Sequence, residues 1–186
     1  CPVINRKNTK NEYPQKLYFA ILRDTEIRKA SSSGGAFTAL ALATFSDKGY
    51  VAGVAYDEDY KGVHHILVNA DTDLDRIRRS KLVQSDKRRC FTEILRLLEV
   101  GRKVLFSGTP CEISGLKSFL GKDYTELITV DIICGCVSSP KVFKKYIEDM
   151  EEKHRCEVTS VNFKDKSSGW KDMFFGTDSI IYIPVI

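Results

Sequence analysis

Apolar and polar residues alternate along this chain in two distinct rhythms, and the switches between them mark the elements. "KLYFAILRD" (16–24) reads as a first strand. After the small turn Ser31–Gly35, residues 36–45 place Phe37, Leu40, Ala41 and Thr44 at helical spacing. "YVAGVAYDED" (50–59) and "HHILVNA" (64–70) read as strands that pair as a hairpin across the Asp57–Gly62 turn. The segment 71–80 opens on an aspartate suited to a helix N-cap, and 90–101 is an amphipathic helix ended by Gly101.

"KVLFSG" then gives a strand and 111–121 a helix, and "LITVDIICG" (127–135) has the continuous apolar character of a central parallel strand. Ser139-Pro140 starts a helix with proline in its first turn, and "EVTSVNFKDK" and "DMFFGTDSIIYIPV" close the chain as strands. From residue 90 onward helix and strand alternate. The expected fold class is therefore α/β, a mixed, largely parallel sheet covered by helices. Both ends read as cut: the chain starts on Cys1 and stops on an apolar, strand-like run.

Composition narrows the function classes. The 186 residues suffice for one α/β domain with its own core. The net charge of +4 is spread out, and the densest basic run, Lys87-Arg88-Arg89, also suits a solvated helix start, so no nucleic-acid partner is implied. No apolar run reaches the ~18 residues of a membrane span. The six cysteines contain no C-x-x-C pair and follow no secretory signal, which points to a reducing, cytoplasmic location rather than a disulfide framework. Cys90 and Cys156 flank helices and read as structural. His64 and His65 are adjacent in a strand and face opposite sides, so a metal pair there is unexpected.

Candidate chemistry gathers in three strand-end loops, Ser31–Gly35, Ser107–Cys111 and Cys134–Pro140. Each is small and hydroxyl-bearing, and each precedes a helix. Such loops either cap the helix or offer backbone N–H groups to an anion such as phosphate. No G-x-G-x-x-G or G-x-x-x-x-G-K-[ST] run is present. Cys111 stands at a helix N-terminus that favours a thiolate, so it is a candidate nucleophile or metal ligand as well as a packing residue. Two soft thiolates on one sheet rim, Cys111 and Cys134, suit iron–sulfur ligation, although the chain does not evidently supply the usual four ligands. Trp170 either covers a planar ligand or plugs the core.

"SSSGGAFTALA", "SKLVQSD", "KVLFSGTPCEISGLK", "VDIICGCVSSPKVFKKYIEDM" and "VNFKDKSSGWK", in this order, closely resemble the coenzyme F420 hydrogenase/dehydrogenase beta-subunit family from about residue 16 onward. The resemblance implies a flavin- and iron–sulfur-dependent oxidoreductase. It would pass electrons from a ferredoxin-like module or donor protein through FAD to a small organic acceptor, such as coenzyme F420. Residues 1–15 would be a linker, with Cys1 the last cysteine of an upstream 4Fe-4S motif. Residues 16–186 would be the beta-subunit-like domain, with further family cysteines beyond its end.

By the same resemblance, Ser32, Ser33, Gly34, Gly35 and Thr38 would cradle the FAD. Lys81, Gln84 and Ser85 would form a second flavin contact, with Lys81 stabilising the anionic reduced ring. Thr109 and Pro110 would line its face, and Asn162, Lys164 and Asp165 would add weaker contacts. Cys1, Cys111, Cys134 and Cys136 are the candidate metal ligands, and Lys81 and Cys134 the candidate catalytic residues. One departure stands out: Gly135 and Cys136 follow Cys134 where the family pattern has His then Gly. A rival expectation is a non-redox accessory protein of surface-polysaccharide (pyruvyl transfer) biosynthesis. A cysteine-nucleophile enzyme built on Cys111 is a third, but none of the three histidines sits in a motif that suggests a base.

Overall fold

The protein is described from a computed structural model covering residues 16–165, 174–176 and 180–182. Cys1, the expected linker and Trp170 lie outside these residues. The elements are α1 (Thr25–Ala30), α2 (Ala36–Ser46), β1 (Tyr50–Tyr56), β2 (Val63–Val68), α3 (Leu74–Ile77), α4 (Cys90–Glu99), β3 (Val104–Gly108) and α5 (Pro110–Leu120). They continue with β4 (Leu127–Asp131), α6 (Pro140–His154), β5 (Cys156–Val158), β6 (Asn162–Asp165), β7 (Phe174–Gly176) and β8 (Ile180–Tyr182).

One four-stranded sheet in the order β2-β1-β3-β4 organises the fold. β1, β3 and β4 are parallel, and β2 is the antiparallel hairpin partner of β1. The hairpin closes where the expectation put it, with Asp57 N–H donating to the Gly62 carbonyl at 2.9 Å. β5–β8 and β6–β7 form separate antiparallel pairs. The α/β, mixed and largely parallel expectation is met.

Strand periodicity sends alternate residues into two cores. On one face Ala52, Val104 and Phe106 pack against Ile94 and Leu98 of α4 and Ile113 and Leu116 of α5. On the other, Val51, Ala55 and Leu105 meet Ala41 of α2, Leu74 and the α3 residue Ile77. β3 is buried at all five positions because helices cover both faces. A third cluster, with Phe143 and Ile147 of α6 over Val63, Val83 and Val158, closes the β2 side.

Three expectations give way. "KLYFAILRD" is not a strand: Leu17 and Phe19 are almost fully exposed, and the first regular element is α1, capped by the Asp24 carboxylate on the N–H groups of Glu26 and Ile27. Among the described strands β4 stands at the edge of the sheet, not in its centre, and ends at Asp131, so Ile132 and Ile133 project from the sheet. In α2 the buried face is Thr38, Ala41 and Thr44, while Leu40 points outward. Small residues let this helix lie close on the sheet. Among the described residues no helix is long and apolar enough to cross a membrane.

Candidate functional site

The three parallel strands deliver their carboxyl ends to one cleft of about 800 Å³, reached by Gly53 and Val54 of β1, Ser107 and Gly108 of β3 and Val130 of β4. This is where an open parallel sheet offers a crevice. Four segments wall it, namely 31–38, 77–85, 107–112 and 132–137.

Side chains and backbone stitch these walls together. Ser32 Oγ lies 3.2 Å from Ser80 Oγ, and Arg79 Nε donates to the Ala30 carbonyl at 3.3 Å. Gln84 N–H donates to Ser138 O at 3.0 Å and Ser138 N–H to Leu82 O at 2.9 Å. The Cys134–Cys136 loop is thereby tied to the Lys81 segment. Gly35, at φ 88°, turns the chain into α2 in a backbone region that favours glycine. α5 begins at Thr109-Pro110, where Glu112 accepts from the Thr109 N–H at 2.8 Å.

Of the expected flavin residues, Ser32, Ser33, Gly35, Thr38, Lys81, Gln84, Ser85, Thr109 and Lys164 all line the cleft. So do Cys111, Cys134 and Cys136, each exposed. Three others are placed differently. Gly34 backs onto the incoming chain: an added Cβ would stand 2.6 Å from Ala20 O, and its carbonyl accepts from Leu22 N–H. Pro110 serves as the first residue of α5. Asn162 is buried, with its Oδ1 accepting from the Lys164 N–H. Asp165 ends β6.

The Lys81 amine donates to Arg78 O at 2.6 Å and stands 5.4 Å from the Tyr56 ring centroid. Burial, and then the Arg79 guanidinium, push its pKa down to about 7. Among the described residues the buried Tyr56 hydroxyl has no hydrogen-bond partner, and burial raises that phenol.

The sequence reading passed over the floor of the cleft. Lys87 Nζ reaches Glu112 Oε1 at 2.5 Å, and Ser85 Oγ donates to the same oxygen at 2.9 Å. Burial alone would raise Glu112's pKa, but hydrogen bonds from Lys87 and the Thr109 N–H, with the charge of Lys87, outweigh it and hold the carboxyl low. His65 Nδ1 lies 2.8 Å from Ser85 Oγ, and its ring stacks on Phe106 with centroids 5.0 Å apart. One signal was available for Glu112: Thr109-x-x-Glu112 ahead of an apolar helix is a capping box. Lys87 gave none, because its run with Arg88 and Arg89 looks like surface. Only Lys87 turns inward, while Arg88 pairs with Asp57.

These features define an α/β domain with a ligand-sized cleft at the carboxyl ends of its parallel strands. Residues 101–182 match the family model for the C terminus of the coenzyme F420 hydrogenase/dehydrogenase beta subunit, the family that the motifs resemble. Among solved structures the fold is similar to a chain of the F420-reducing NiFe hydrogenase complex from Methanosarcina barkeri, with a TM-score of 0.57 and 19% identity. The likeness covers 76% of this chain and 52% of that one, so the protein spans about half of its solved relative. At this identity the likeness concerns the fold alone. No curated protein matches the sequence.

Proposed function

We propose that the cleft is the FAD site of an oxidoreductase that takes electrons from a ferredoxin-type donor and reduces a small organic acceptor of the coenzyme F420 class. The observation that carries this reading is the convergence of 31–38, 77–85, 107–112 and 132–137 on one cleft. Its volume falls in the range of cofactor sites. The lining fits the cofactor in two parts. Hydroxyls of Ser32, Ser33 and Ser80, with Arg79 and Lys81, suit a diphosphate, whereas Val54, Ile77, Phe91 and Ile132 offer apolar surface to a flat ring.

FAD, when bound, supplies the exchange between one-electron donors and two-electron acceptors. The chain's own residues position and tune. An anion beside Lys81 favours its charged form and raises its pKa, so the amine takes up a proton as the ligand binds. Cys134 brings a thiol to the same wall.

Among the described residues no three His, Cys, Asp or Glu side chains come close enough to hold a metal ion. These residues do not fit a complete four-iron cluster. The donor module is assigned to residues outside those described or to a partner protein; the solved relative being a complex supports a partner.

Titration of the anaerobically prepared protein with FAD, followed by flavin fluorescence and visible absorbance, tests the reading. One equivalent should bind, and Lys81→Met should weaken binding about tenfold, the loss of about 1.4 kcal/mol. A colourless protein after reconstitution would sink it in favour of the non-redox accessory role.

A further inference from the structure

Beneath the cleft, His65 is 3% exposed on β2 and meets hydrogen-bonding groups at both ring nitrogens. Nε2 lies 3.2 Å from the Ser107 carbonyl, and Nδ1 lies 2.8 Å from Ser85 Oγ. Ser85 Oγ is also 2.9 Å from Glu112 Oε1 and receives Lys87 Nζ at 2.7 Å. Ser85, Lys87, Ser107 and Glu112 all line the cleft.

The protons in this network do not add up for a neutral imidazole. A carbonyl only accepts, so the Ser107 contact requires hydrogen on Nε2, which leaves Nδ1 bare. Ser85 has one hydroxyl hydrogen and two acceptors, Nδ1 and the Glu112 carboxylate. The other tautomer satisfies those two but sets a bare Nε2 against the Ser107 oxygen. Every neutral form lacks one hydrogen, and the imidazolium fills every contact.

We propose that His65 is the proton-holding group of this cleft, charged through Ser85 from Lys87 when negative charge enters above it. The transfer balances without moving electrons. A Lys87 N–H bond breaks as a new Ser85 O–H forms, and the original Ser85 proton passes to His65 Nδ1. Lys87, whose side chain is 24% exposed, is reprotonated by water. The net change is one solvent proton gained. Burial, Lys87 and His64 oppose the imidazolium, while Glu112 and the Ser107 carbonyl favour it, so the ring's pKa is lowered to about 4 and it rests neutral near pH 7. Phe106 contributes only a ring face. The proposal rests on the flavin reading only for the source of the negative charge.

Nitrogen-15 NMR of the histidine rings in the full chain tests it, with FAD as the probe, oxidised and then reduced with dithionite. Without flavin, Lys87→Met removes a repelling charge and should raise the His65 pKa. It should nevertheless slow exchange of the ring N–H with water at least about tenfold, and Lys87→Arg, which keeps the charge but releases no proton, should leave the exchange slow. A lysine that only packs would raise the pKa without slowing exchange, and that result overturns the pathway. An unchanged Nδ1 resonance in Ser85→Ala overturns it as well. With bound FAD, reduction should raise the His65 pKa from about 4 by about three units, so that the ring is charged near neutral pH. Tight FAD binding with an unmoved His65 overturns the coupling and leaves the flavin site standing. No FAD binding removes the flavin site and the coupling together, while the exchange rates still decide the pathway.

Discussion

Replacing Lys81 by methionine should make the protein more stable, although Lys81 is its best-placed cation for a ligand. The amine stands in the cleft with one carbonyl acceptor and Arg79 nearby, and its pKa falls from 10.5 to about 7. At ~1.4 kcal/mol per pH unit, that fall corresponds to about 5 kcal/mol of preference for the neutral amine. Solvent screening and swinging of the ammonium toward water reduce the measurable part to about 1–3 kcal/mol. The sign follows from proton counts. Below pH 7 both folded and unfolded chains carry the charge, and the folded chain bears the whole penalty. Between pH 7 and 10.5 the unfolded chain holds a proton that the folded one lacks, so stability rises with pH. Urea unfolding followed by circular dichroism should show the variant ahead of wild type by most at about pH 6.5, with the gap closing toward pH 10. A variant no more stable at pH 6.5, or a gap that does not change with pH, would refute the reasoning.

Phe106, fully buried on β3 and stacked on His65, should cost about 3–5 kcal/mol on replacement by alanine, read as a lower urea midpoint. Gly35→Ala should cost at least about 1 kcal/mol and lower FAD affinity, because φ is 88° and the new Cβ would stand 2.6 Å from Leu22 Cδ1. In the native chain, iodoacetamide should label Cys111, Cys134 and Cys136 within minutes, as peptide mass mapping would record. Cys90, buried and pushed up to about 12, and the buried Cys156 should stay unlabelled until urea is added.

Local rhythm made most of the fold legible. The hairpin, β3, α4, α5 and α6 lie where their patterns put them, because each buries a periodic face and carries its own stop signal. Hydrophobicity without context failed at 16–24 and at 132–133. Leu17, Phe19 and Ile133 are as apolar as any strand residue, yet no neighbouring strand receives them. Whether an apolar run becomes a strand depends on a partner elsewhere in the chain, which no local pattern records. The same limit hid the edge position of β4, since strand order is a tertiary property.

The cleft was legible for a different reason. Small, hydroxyl-rich turns at strand ends must gather on one margin once the strands are parallel, so their meeting follows from topology. The floor did not follow. Lys87 turns inward because Glu112, committed to the α5 cap, leaves a carboxylate oxygen in a half-buried site that only a cation satisfies. That pairing spans 25 residues and has no periodic trace. It bears on the Cys134-Gly135-Cys136 departure as well. The resemblance implies a histidine, and so a titratable group, at that loop, where this chain has Gly135 and Cys136. On the proposal above, the proton comes from beneath, through Ser85 to His65, so the cleft has a proton source without a histidine in that wall.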